Sequence, residues 1–104
     1  MAEPKIEIPR AQIDDFCRRW KIVELSLFGS VLRDDFRPDS DVDMLVWFAA
    51  DAHWSLFDFI QAQAELAAIL GRSVDLVERQ AVEESRDYIR RKHILSTLQP
   101  VYAG

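Results

Sequence analysis

The chain has 104 residues, enough for one domain with a single core and too few for two. Its 49% hydrophobic and 11% aromatic content excludes a disordered chain, and a net charge of -5 argues against the basic surface that direct nucleic-acid binding needs. Cys17 stands alone, so no intrachain disulfide can form. No apolar run spans a bilayer and the start MAEPKIEIPR has no signal core, so a cytoplasmic chain without a membrane partner is expected. After Pro9, the helical spacing of Ile13, Phe16, Cys17 and Trp20 predicts a first helix with one apolar face. Ile22 to Phe28 reads as a strand. Val31 to Phe36 reads as a short helix from Ser30, broken at Pro38 and Asp39. Asp41 to Phe48 reads as a second strand whose apolar end, MLVWF, is buried on both faces. A helix follows over roughly Trp54 to Leu70, with Leu56, Phe59, Ile60, Gln63, Leu66, Ala67 and Leu70 on its stripe and Gly71 as its stop. Ser73 to Glu78 reads as a third strand, and Glu83 to Leu98 as a last helix carrying Tyr88, Ile89, Ile94, Leu95 and Leu98. The order predicts an α/β (α+β) domain over residues 1–104, a small mixed sheet of about three to four strands packed with helices.

The stretch GSVLRDDFRPDSDVDMLV holds most of the chemistry. Gly29 and Ser30 close one strand; ten residues later Asp41 and Asp43 open the next. Alternation along a strand points both carboxylates to one face. Carboxylates so placed can hold hard cations such as Mg²⁺, and a pair of ions about 3.5–4 Å apart can serve both the attacking and leaving oxygens of a phosphoryl transfer. Asp75, within VDLV, reaches the same face if its strand lies beside the second; it would complete the metal site and help deprotonate an acceptor hydroxyl. Gly29 lets the backbone approach an anion, and a helix starting after Ser30 would aim free N–H groups at phosphates. Arg33 and Arg37 can reach a triphosphate or pair with Asp34, Asp35 or Asp39. Trp47 can stack on a base, but its strand position assigns it to the core. Cys17 reads as a small core residue, His53 and His93 lack metal-ligand spacing, and Arg90 to His93 read as a solvated helix face.

At these residues the chain resembles the minimal nucleotidyltransferases of the DNA polymerase β superfamily. Their signature is Gly-Ser, a ten-residue gap and Asp-x-Asp, met here by Gly29, Ser30, Asp41 and Asp43. Arg33, Arg37, Pro38, Asp39 and Ser40 also match, and the third family carboxylate maps onto Asp75. Asp34 stands where the family often has Gly, adding negative charge near the phosphates. The resemblance implies a nucleotidyltransferase fold and ATP- and Mg²⁺-dependent AMP transfer. It makes Asp41, Asp43 and Asp75 the catalytic and metal residues, with Gly29, Ser30, Arg33 and Ser40 on the nucleotide. So short a chain leaves no room for an acceptor-binding domain, so the acceptor is expected on another molecule. Stand-alone members are similar to antitoxins that pair with HEPN-type toxin ribonucleases and add AMP to a toxin tyrosine, which implies such a partner and a hetero-oligomer. Two other functions stay open: a binding module that masks its partner with an unused site, and a small-molecule transferase working as a homodimer. If the partner is a protein, its acceptor should enter past Asp75, bordered by Arg79 to Arg91.

Overall fold

The computed structural model describes residues 8–29 and 41–103. Helix α1 (Arg10–Arg19) follows Pro9, whose carbonyl accepts the Ile13 N–H at 3.0 Å. Its apolar face is the expected one, with Ile13, Phe16 and Cys17 fully buried. Burial, and then the nearby Asp14 charge, push the Cys17 thiol up to about 12, so this sulfur packs and does not react near neutrality. On its outer side, Arg19 grips Glu65 through two hydrogen bonds of 2.8 and 3.2 Å. That contact, helped by the Trp20 indole N–H, holds the Glu65 carboxyl below the usual carboxylate range. Its stabilisation is therefore present above that range and is lost as pH falls through it; because Arg19 is half exposed, the contribution is small.

The chain turns from α1 into the sheet at Lys21, a non-glycine residue at φ 54°. Its carbonyl accepts the Ala49 N–H at 2.8 Å, and its ammonium stands 3.5 Å from Asp51 in an exposed pair. A side chain in the left-handed region costs roughly 1–2 kcal/mol, partly offset by the extra unfolded-state freedom a glycine would bring. Lys21→Gly is therefore expected to raise stability by up to about 1 kcal/mol, visible as a melting temperature a few degrees higher.

Four strands form one sheet: β1 (Ile22–Phe28), β2 (Val42–Phe48), β3 (Val74–Glu78) and β4 (Gln99–Ala103), in the order β3-β2-β1-β4. β1 runs antiparallel to β2 and β4, while β2 and β3 are parallel, joined through helix α2 (Leu56–Leu70). The alternation of side chains gives the sheet two apolar faces. Leu25, Leu27, Met44, Val46 and Leu76 pack with Ile13 and Phe16 of α1 and Leu66 of α2. On the other face Phe28 and Leu45 pack with Val82 of helix α3 (Arg79–Glu83) and Ile94 of helix α4 (Tyr88–Ser96). Ser55 starts α2 with a capping box: its hydroxyl accepts the Asp58 N–H at 3.2 Å, and Asp58 accepts the Ser55 N–H at 3.0 Å. Gly71, at φ 69°, ends the helix. Ser55→Ala should cost about 1 kcal/mol, read as a lower urea midpoint with an unchanged slope.

Three expectations are corrected, and one strand is added within the three to four expected. The last helix is two helices, because Asp87 caps α4 by accepting the Arg90 N–H at 3.0 Å, and Arg91 donates at 3.2 Å to the carbonyls of Glu83 and Ser85 where α3 ends. The residues after α4 form β4, an edge strand in which Pro100 removes no ladder bond that the sheet interior needs. On α2, Leu56 and Ile60 are exposed although they fall on the apolar stripe, and on α4 so are Tyr88 and Ile89. Trp47 is 45% exposed, because its face of β2 runs past the cover provided by α3 and α4.

Candidate active site

Asp43 is the residue on which the sheet converges. In the ladder it lies opposite Phe28 on one side and Asp75 on the other. Residues paired across strands present their side chains to one face, so Asp43 and Asp75 share a face at the same level of the sheet. That face also carries Phe28 and Leu45, whose packing beneath α3 and α4 fixes the strands. Asp43 is half-buried and Asp75 exposed. Asp41 is exposed and precedes the strand rather than opening it; the ladder starts at Val42, whose N–H donates to Ser73 O at 2.9 Å.

Gly29 completes the arrangement. It leaves β1 at φ 77°, a conformation that suits glycine. A β-carbon placed on it would overlap a carboxylate oxygen of Asp43 and would sit 3.3 Å from Asp43 Cγ and 3.4 Å from its Cβ. The glycine thus presses bare backbone against the Asp43 carboxylate, a contact that the antiparallel register creates between residues fourteen positions apart. The donor chemistry, carboxylate oxygens on neighbouring strands beside an open backbone turn, fits a hard cation that bridges protein to phosphate. Among the described residues no three His, Cys, Asp or Glu side chains converge closely enough to hold a metal ion as they stand. The structure therefore brings together Gly29, Asp43 and Asp75 and places Asp41 two residues upstream. Ser30, Arg33, Arg37 and Ser40, with the short helix expected from Val31 to Phe36, lie outside the described residues.

Sequence reasoning missed a polar row farther along the same face. Ser26, nearly fully buried, donates to Glu24 at 3.2 Å. Arg79 lies 3.9 Å from Glu24, donates to Glu83 at 2.8 Å and stacks over the Trp47 ring at 4.6 Å. The signal was in VELSLF, where Glu24 and Ser26 alternate with Val23, Leu25 and Leu27. Arg79 is thus engaged by its own chain. It follows β3 at the end away from Asp75, four residues on, or roughly 13 Å of extended chain.

A four-stranded mixed sheet with acidic residues at one end and helices on both faces defines a nucleotidyltransferase-type domain. The model for the nucleotidyltransferase domain matches residues 10–97, and the chain belongs to that family. It is similar to the protein adenylyltransferase MntA of Thermococcus cleftensis, 40% identical over 65 residues that cover 62% of this chain and 64% of that protein. The chain thus spans less than two thirds of the length of the curated relatives it matches. Among solved structures it is similar to a candidate minimal nucleotidyltransferase, 31% identical over 88% of this chain and 87% of that one, with a TM-score of 0.67. It also matches a structure of a tri-AMPylated HEPN toxin of Shewanella oneidensis in complex with an MNT antitoxin. That likeness, 23% identity over 91% of this chain and 70% of that one with a TM-score of 0.61, shows the fold alone.

Proposed function

We propose that this chain transfers AMP from ATP to a hydroxyl of a HEPN-type toxin, with tyrosine as the acceptor, and acts as the antitoxin of that toxin. The observation that carries this reading is the bare-backbone contact of Gly29 with the Asp43 carboxylate, at the level of the sheet where Asp43 faces Asp75. In such a site the Asp43 carboxylate stands directly beside the glycine turn, with Asp75 across the ladder at the same level, which would place carboxylates next to a phosphate bound at that turn. The relative named above, a protein adenylyltransferase, supports a protein as the acceptor, and the fold shared with an antitoxin in complex with an AMPylated toxin is compatible with it.

In this reading Gly29, Ser30, Arg33 and Ser40 hold the triphosphate, with Gly29 giving it close access to the backbone. Asp41, Asp43 and Asp75 would hold Mg²⁺, two ions at full loading. Bound there, the metal supplies Lewis-acid polarisation of the phosphates. The acceptor oxygen attacks the α-phosphorus, forming a new P–O bond. The bond from that phosphorus to the oxygen bridging the β-phosphate breaks, and pyrophosphate leaves with the electron pair. Asp75, exposed at the start of β3, takes the hydroxyl proton. ATP labelled at the α-phosphate tests the reaction directly. Label should pass to the HEPN-type protein from α-labelled ATP and not from γ-labelled ATP; transfer of the γ label would mean phosphorylation and would refute the reading.

A further inference from the structure

We infer that the end of the sheet remote from Asp43 is a docking surface for the acceptor protein, and that its occupant is an apolar segment flanked by Lys or Arg. The inference rests on the reading that the acceptor is a protein. Helix α2 enters its first two turns with Leu56, Phe57 and Ile60 exposed by 75, 85 and 53%. Leu56 and Ile60 are four apart and lie on one stripe of the helix. Leu56 also lines a hollow of about 1020 Å³ whose walls include Trp47, Trp54 and Phe59. Leu56 thus joins the exposed apolar ridge to a hollow of mixed apolar and charged lining, and exposed apolar side chains gathered beside such a hollow mark an interaction site.

Charge selects the occupant. The hollow is bordered by Glu78, Glu83 and Glu84 and by one cation, Arg79. That cation is held by Glu83, Glu24 and the Trp47 ring, so the rim presents negative charge outward. A second copy of this chain, itself at -5, would meet the rim with like charge overall. An apolar segment bearing basic side chains satisfies both features at once.

The hollow lies at the Trp47 and Glu78 ends of β2 and β3, whereas Asp43 and Asp75 lie near their beginnings. Roughly 13 Å of strand separates the two places, so the docked segment is not the one that carries the reacting hydroxyl. It anchors the acceptor protein and raises the local concentration of its hydroxyl at the site. Weakening the surface should therefore raise KM for the acceptor protein and leave turnover at saturation unchanged.

The test uses the full chain and a HEPN-type toxin as the acceptor protein. Two variants, Leu56→Ser/Ile60→Ser and Glu84→Lys, change exposed side chains and should leave the melting temperature and ATP-analogue binding intact. Calorimetry should show the double variant binding the partner about tenfold more weakly, with a matching rise in KM and an unchanged kcat. Glu84→Lys should weaken binding more at low salt than at high salt. Unchanged partner affinity in both variants would overturn the docking surface, even with AMP transfer intact. So would a homodimer in solution that the double variant dissolves, because the occupant would then be a second copy. Binding lost in the variants while the unmutated chain transfers no AMP would uphold the surface and refute the proposed reaction instead.

Discussion

Asp43→Asn is expected to abolish AMP transfer, by roughly a thousandfold or more, while the fold is kept. The substitution preserves shape on the central strand β2 and removes the charge that faces both Gly29 and Asp75. If Asp43 holds the metal as proposed, losing its charge removes several kcal/mol of charge stabilisation, and each ~1.4 kcal/mol is a factor of ten in rate. Circular dichroism and a thermal melt should match the unmutated chain, because Asn fits the same space. A variant that keeps more than about a tenth of the transfer rate would place the chemistry elsewhere.

Gly29→Ala carries the second large effect, for two separable reasons. The left-handed backbone at φ 77° costs any other residue roughly 1–2 kcal/mol. The added methyl would also overlap the Asp43 carboxylate, which must then move from its present place beside Gly29. Strain alone would lower the melting temperature by several degrees; displacement of Asp43 should in addition cost transfer about a hundredfold. Gly71 supplies the control. It has a similar positive φ of 69°, but a β-carbon there would meet nothing within 4 Å. Gly71→Ala should therefore lose comparable stability and keep full activity. Equal activity in the two variants would show that the Gly29 contact has no part in the chemistry.

Much of this architecture could be read from residues alone. The helical spacing of Ile13, Phe16 and Cys17, the strand ending at Phe28 and the Gly71 stop all appear as expected, because local periodicity and capping determine them. The features that eluded sequence reasoning depend on tertiary context. Pro100 argues against a strand unless the strand is known to lie at an edge, so β4 was hidden. The break between α3 and α4 depends on Arg91 reaching back to the carbonyls of Glu83 and Ser85. Trp47, Leu56 and Ile60 look like core residues because apolar patterning cannot tell a surface kept for a partner from one buried at home. Within the site, alternation put Asp41 and Asp43 on one face and left Asp75 conditional on β3 lying beside β2, which the parallel ladder supplies, whereas the contact of Gly29 with Asp43 needed the antiparallel register. Asp41 lies just outside the ladder, a one-residue difference at a strand end that residue patterns do not resolve.

The central claim, that the Asp43 site modifies a protein partner and thereby silences it, is tested most directly by intact-mass spectrometry of the HEPN-type protein after incubation with this chain, ATP and Mg²⁺. AMP-sized additions, placed on tyrosine by peptide fragmentation, should appear with the unmutated chain and be absent with Asp41→Asn/Asp43→Asn, and only the unmutated chain should restore growth of cells that make the toxin. Full protection by the double variant, with the partner's mass unchanged, would contradict the account and show that the chain works by covering its partner.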